Sequence, residues 1–193
     1  MTWRKGQSRV TANRSKEEGP LRKFVEQLDA GDSPVERVPG TAVFLGGNPK
    51  TAPLALRANV EHNHVLHERV IIVSIETARI PHVPEAKRLR ANHLGHPADG
   101  ITVLTARFGF QDEPNVPATL RLATERNLLE GTLEVDQASS FLSQITIVAT
   151  DAPGMNRWRK RLFLAMAHNA ANPAAYFGLP DDRTVTIGER IDV

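Results

Sequence analysis

The chain has 193 residues, of which 40% are hydrophobic and 24% are charged, as is ordinary for one folded domain. It contains no cysteine, which excludes disulfides and thiolate metal sites. The formal net charge is only +2 and the basic residues form short clusters, so a nucleic-acid binder with its charge concentrated on one face is not expected. No apolar run approaches the ~18–20 residues that a membrane-spanning helix needs.

The N-terminal third is predicted to contain a polar arm, a short helix and the first strand and helix of a sheet domain. Residues 1–18 have no periodic apolar pattern, so we expect them to be extended or mobile. Pro20 is expected in the first turn of a helix that ends at Gly31. Four residues of this helix share one apolar face, which is expected to dock on the domain: Leu21, Phe24, Val25 and Leu28. A buried strand over 41–45 and a helix over 53–64 follow.

The remaining elements alternate between strand and helix patterns. The predicted strands are 69–76, 88–94, 101–110, 141–148 and 184–187, and the predicted helices are 115–129 and 155–169. Asp99-Gly100 before a β-branched run indicates an antiparallel hairpin. The pattern predicts an α/β fold: a layered, mixed sheet of about six strands with a central antiparallel hairpin, flanked by helices. We divide the chain into a linker with a short helix (1–37) and an α/β domain (38–193).

One loop has features of a phosphate site. Gly46, Gly47, Asn48, Lys50 and Thr51 lie between a predicted strand and a predicted helix, where free backbone N–H groups attract anions and glycine permits close approach. The spacing matches neither the P-loop nor G-x-G-x-x-G, so a plain turn is the alternative interpretation.

A second cluster has residue types that bind metal ions. Glu61, His62, His64, His67 and Glu68 place three imidazoles and two carboxylates within eight residues. A zinc-binding helix carries its ligands in H-E-x-x-H spacing, which is absent here. We therefore expect a polar helix end that leads into a strand, and no stoichiometric transition metal; a metal-dependent enzyme is the alternative.

Arg107 lies inside a predicted strand, and Asp112 and Glu113 follow it closely. A buried arginine needs an acidic partner, so we expect a structural ion pair there. Ser139 and Ser140 lack a G-x-S-x-G context, which argues against a serine nucleophile.

Several motifs together resemble the cytosolic region of the Kup/HAK/KT potassium transporters. The segments that carry the resemblance are Val38–Leu45 (VPGTAVFL), His62–Val70 (HNHVLHERV), Arg107–Pro117 (RFGFQDEPNVP), Trp158–Ala170 and Tyr176–Pro180 (YFGLP). They cover nearly the whole chain in order. Gln144 departs from the family pattern, which has an arginine there.

The resemblance implies the C-terminal cytosolic domain of a proton-coupled potassium importer, a protein of the cell membrane. It also implies that Met1 replaces a membrane portion and that residues 2–6 adjoin the last membrane helix. The expected partner is that membrane portion, with a homodimer and a cyclic dinucleotide as further candidates and no nucleic acid. Two functions stay open: a regulatory and assembly domain without catalysis or cofactors, and a sensor of cyclic di-AMP-type nucleotides.

Overall fold

The computed structural model describes residues 11–30, 35–93, 100–129, 131, 133–148 and 173–192. Side chains are described for all of these residues except 145–148 and 189–192. The predicted helix over 155–169 and the first ten residues of the predicted mobile arm lie outside this described part.

A six-stranded sheet forms the centre of the domain. Its strands are β1 (Glu36–Gly46), β2 (Val65–Thr77), β3 (Leu89–Asn92), β4 (Ile101–Phe108), β5 (Ser139–Val148) and β6 (Thr184–Asp192). Their order is β3-β4-β2-β1-β5-β6, and every pair is parallel except β3–β4. The predicted fold class is confirmed. The antiparallel pair β3–β4 comes from the middle of the chain, but it lies at one side of the sheet, where β3 is the outer strand.

Five described α-helices accompany the sheet: α1 (11–18), α2 (Leu21–Asp29), α3 (Leu54–Asn63), α4 (Val116–Glu125) and α5 (Pro173–Tyr176). Asn115 caps α4 as predicted, because its side chain accepts a hydrogen bond from the backbone N–H of Ala118 at 2.8 Å. This helix ends four residues before the predicted Leu129, and the chain reverses at Asn127, whose φ is 52°.

The sheet separates two hydrophobic clusters, as expected for a layered α/β domain. One cluster joins α2 and α3 to the sheet and includes Phe44, which stacks on Phe141 with ring centroids 4.7 Å apart. The other joins α4 and α5 to the opposite face through residues such as Leu120 and Ala174. Alternate residues of β1 and β2 enter opposite clusters, as the twofold period of a strand requires.

The N-terminal segment contains a helix that the sequence pattern did not indicate. Residues 11–18 form α1, so the prediction that they are extended is wrong. Its docking depends on the polar residue Glu18, which is only 1% exposed, rather than on an apolar stripe. The predicted docking of α2 is confirmed, because Leu21, Phe24 and Val25 are buried and Leu28 packs beside them.

Candidate functional site

Three loops follow the ends of the parallel strands β1, β2 and β4, and they lie at the same end of the sheet. These strands run in the same direction, so their last residues, Gly46, Thr77 and Phe108, lie at one edge of the sheet. We call this end of the sheet, where the parallel strands finish, the carboxyl edge; it is not one of the two sides formed by the outer strands β3 and β6. Ligands of open α/β sheets commonly bind at such an edge, which makes its loops the first candidates for a site.

The predicted phosphate loop forms a compact turn at the carboxyl edge. The Asn48 side chain accepts a hydrogen bond from the Lys50 N–H at 3.0 Å, and the Thr51 N–H donates to the Asn48 carbonyl at 3.3 Å. A Cβ at Gly46 would lie 3.2 Å from Pro53, whereas one at Gly47 would meet only Arg14, at 3.9 Å. The structure thus brings the five predicted residues together, with Lys50 exposed.

The polar groups of this loop hold the N-terminal segment. The Thr51 hydroxyl donates a hydrogen bond to the buried carboxylate of Glu18, and Arg14 forms an ion pair with the same carboxylate at 2.6 Å. The backbone continues the contact, because the Leu21 N–H donates to the Lys50 carbonyl at 2.9 Å. Because Arg14 neutralises this carboxylate, the pair adds no net charge that would attract an anion to the loop. Phosphate binding at the loop stays a prediction.

A backbone N–H group at the start of α3 is also hydrogen-bonded within the domain. Pro53 lies before its first residue and provides no N–H, and the Ala55 N–H donates to the Ser143 hydroxyl at 2.9 Å. Sequence reasoning identified neither Ser143 nor Glu18. Both pair with residues far away in the chain, at separations of 88 and 33, and no local pattern indicates such pairs.

The His/Glu cluster is divided between the end of α3 and the start of β2. Glu61 pairs with Arg57 at 2.7 Å, and His64 ends the helix with a φ of 55°. His67 lies in β2, where burial lowers the pKa of its imidazole. In the described ranges, no three His, Asp or Glu side chains come together as metal ligands. The geometry gives no support to an enzyme built on this cluster.

Arg107 has a different partner from the one expected. It pairs across the β2–β4 ladder with Glu76, with Nε and Oε2 3.8 Å apart, and both side chains are at least 40% exposed. The expectation of a buried arginine paired with Asp112 or Glu113 is therefore wrong. The twofold alternation of β4 directs Leu104 and Ala106 into the core and leaves Arg107 at the surface.

Asp112 instead closes a corner between two loops of the carboxyl edge. Its carboxylate accepts hydrogen bonds from the backbone N–H groups of Val83 (3.0 Å) and Gly109 (2.7 Å) and from His82 Nδ1 (2.7 Å). These bonds, with the Arg88 guanidinium 3.6 Å away, hold the pKa of Asp112 well below its usual range. The G-x-x-D pattern from Gly109 to Asp112, in the loop between β4 and α4, is a sequence signal that could have indicated this corner.

The chain matches a family model described as the K+ potassium transporter C-terminal domain over residues 39–193. It is 50% identical over 192 residues to a potassium transport system protein Kup of Rhodococcus jostii and covers 29% of that relative. Its identity is 36% to the Kup protein of Herminiimonas arsenicoxydans and 38% to a Kup 2 protein of Sinorhizobium medicae, with 30% and 29% of those relatives covered. The match includes 98–100% of this chain.

The chain therefore spans less than a third of the length of these curated relatives. No solved structure matches it. Within the described residues, no helix has the length and apolar character required to cross a bilayer.

Proposed function

Because the chain belongs to the potassium transporter family, whose C-terminal domain it matches, we propose that it is the regulatory and assembly domain of a proton-coupled potassium importer. It lies on the cytoplasmic side of the membrane and has no catalytic activity of its own. Its relatives are named for potassium transport, and the membrane portion of the same polypeptide is its first partner.

The packing of α1 and α2 supports a regulatory role. A domain that regulates a transporter has to transmit a conformational difference through the segment that connects them. Here that segment is attached to the sheet by the Glu18–Thr51 hydrogen bond, by the Leu21–Lys50 backbone bond and by the buried Phe24. A movement of the sheet is therefore transmitted to α1 and α2, the first described segments of the chain.

The energy required for such regulation is small. A domain shifts the equilibrium between two transporter states only by the difference in its interaction free energy with the two. A tenfold shift corresponds to about 1.4 kcal/mol, comparable to one or two buried hydrogen bonds. Contacts of the kind seen between α1 and the Gly46–Thr51 loop are sufficient.

The test is potassium uptake by cells that carry the full-length transporter with or without residues 36–193. We expect the truncated protein to reach the membrane in equal amount, as measured by immunoblot, and to lose its response to external potassium supply. If uptake and its response are the same in both strains, the regulatory function is refuted.

A nucleotide ligand is a second candidate because Lys50 is exposed beside Gly47, where backbone can be approached closely. Calorimetric titration of the domain with cyclic di-AMP tests it, with Lys50→Ala and Gly47→Val as loss-of-binding variants. Gly47→Val should fold, because the added Cβ meets only the end of the Arg14 side chain. A titration without heat of binding would remove this candidate.

A homodimer is the third element of the proposal. Twofold assemblies are the commonest closed arrangement, and β6 is an edge strand with Val185 47% exposed. Sedimentation at high protein concentration should give twice the 21.2 kDa chain mass. A mass of one chain at every concentration would contradict it.

A further inference from the structure

Two apolar side chains point into solvent at one corner of the carboxyl edge. Phe110 is 60% exposed and Ile80 is 46% exposed, and both belong to the loops that follow β4 and β2. The loops are joined directly, because the Phe110 N–H donates to the Ile80 carbonyl at 3.0 Å. We call this pair the apolar corner.

Hydrogen bonds between the two loops fix the backbone of the apolar corner. The Gln111 N–H donates to the Pro81 carbonyl at 3.0 Å, and the Asp112 carboxylate binds the N–H groups of Val83 and Gly109. The loops are in close contact at Gly109, where a Cβ would lie 2.0 Å from the Pro81 carbonyl oxygen. Because these bonds fix the backbone, the apolar side chains are presented to solvent in a defined position, as at a recognition surface.

The apolar corner and the N-terminal helices lie at the same edge of the sheet. Arg14 in α1 approaches Gly47, which directly follows the last residue of β1, and the corner follows the ends of β2 and β4. In the family, the rest of the polypeptide precedes this C-terminal domain. The first described helix of the chain, α1, therefore contacts the domain at the carboxyl edge.

We propose that the apolar corner docks on the portion of the transport polypeptide that precedes this domain. This inference rests on the proposed function. A contact of two side chains is far smaller than the roughly 1,000 Å² that a free protein partner requires. A covalently connected partner has a high effective concentration, so a small contact suffices. The exposed Arg79 beside Ile80 fits an apolar pocket with an acidic rim on that partner.

Photo-cross-linking in the full-length protein in membranes tests the docking. A benzophenone amino acid replaces Phe110, and in a control protein it replaces Val185, which is also exposed but lies near the start of β6, at the opposite end of the strands. We expect position 110 to cross-link to the preceding portion of the same polypeptide and position 185 not to do so. Cross-links from position 110 only to lipid, only to a second copy, or to nothing would overturn the proposal.

Substitution gives an independent readout. Phe110→Ser should weaken the response of uptake to potassium supply while the melting temperature of the domain is unchanged, because the side chain is exposed. Gln137→Ser, at an exposed position just before β5 and so at the opposite end of the strands, should leave both unchanged. Where truncation of the domain alters the response, an unaltered response in Phe110→Ser would count against docking. If truncation has no effect on uptake but the cross-link at position 110 forms, the regulatory function fails and the docking stands.

Discussion

At the scale of single residues, Asp112 is a carboxylate whose pKa is lowered by hydrogen bonds from the surrounding backbone. Two backbone N–H groups and His82 bind it, which lowers its pKa below the value of 3.8 for a free side chain. A carboxyl group whose pKa is lower in the folded chain stabilises the fold above its unfolded pKa. That contribution is lost as the pH falls through the folded value.

Asp112→Asn should therefore be less stable than the wild type near neutral pH, and the two proteins should converge as the pH falls below about 4. Thermal unfolding between pH 7 and pH 2 measures this. Glu113→Gln, at an exposed neighbouring position, should follow the wild-type curve. Parallel pH curves for wild type and Asp112→Asn would show that the hydrogen bonds at this carboxylate do not stabilise the fold.

Gly109→Ala tests the close contact of the two loops at the same corner. The new Cβ would lie 2.0 Å from the Pro81 carbonyl oxygen, so the loops have to separate. We expect a loss of about 1–3 kcal/mol in the free energy of unfolding, as for other overpacked sites. Gly188→Ala is the control, because nothing lies within 4 Å of its added Cβ. Urea unfolding curves that coincide for both variants would exclude a tight contact.

At the scale of elements, α2 shows how apolar periodicity places a helix. Phe24 is 5% exposed and belongs to the hydrophobic cluster that contains Phe44. The Arg57 guanidinium lies over its ring, 5.5 Å from the centroid. Phe24→Ala should cost about 3–5 kcal/mol of stability and speed amide exchange over residues 20–30. Gln27→Ala, on the exposed face of the same helix, should change neither. Fast exchange over these residues in the wild type would mean that α2 is not docked.

The elements that the sequence predicted are those whose residues carry a local signal. The buried run at 70–73 and the Asn115 cap marked β2 and α4, because strand burial and N-capping depend on neighbours in the chain. The sequence did not indicate α1, since its docking depends on Glu18 and a partner 33 residues away. The five residues of the Gly46–Thr51 loop are neighbours in the chain, and the sequence identified them. The Glu18 carboxylate that contacts this loop is distant in the chain, and the sequence did not identify it.

At the scale of the whole molecule, the carboxyl edge combines the features on which the proposed regulatory function rests. It holds the Gly46–Thr51 loop, the apolar corner and the contacts of α1. Strand order decides this, because β1, β2 and β4 are parallel neighbours and deliver their loops to one edge. Strand order depends on contacts between distant segments, which is why the sequence patterns did not predict it.

Glu18→Ala is the variant that tests whether α1 connects this edge to the preceding polypeptide. It removes the acceptor of the Thr51 hydroxyl and the partner of Arg14, and should weaken α1 docking by about 1–3 kcal/mol, as for other buried hydrogen-bonded groups. Amide exchange over 11–18 should accelerate while exchange in β1 and β2 stays slow. In the full-length transporter, the response of uptake to potassium supply should approach that of the truncated protein, because the domain is then only loosely connected. Glu17→Ala is the matched control, since it removes the same charge from an exposed position. If Glu18→Ala accelerates exchange over 11–18 but leaves the response of uptake intact, α1 is not the connection through which the domain acts.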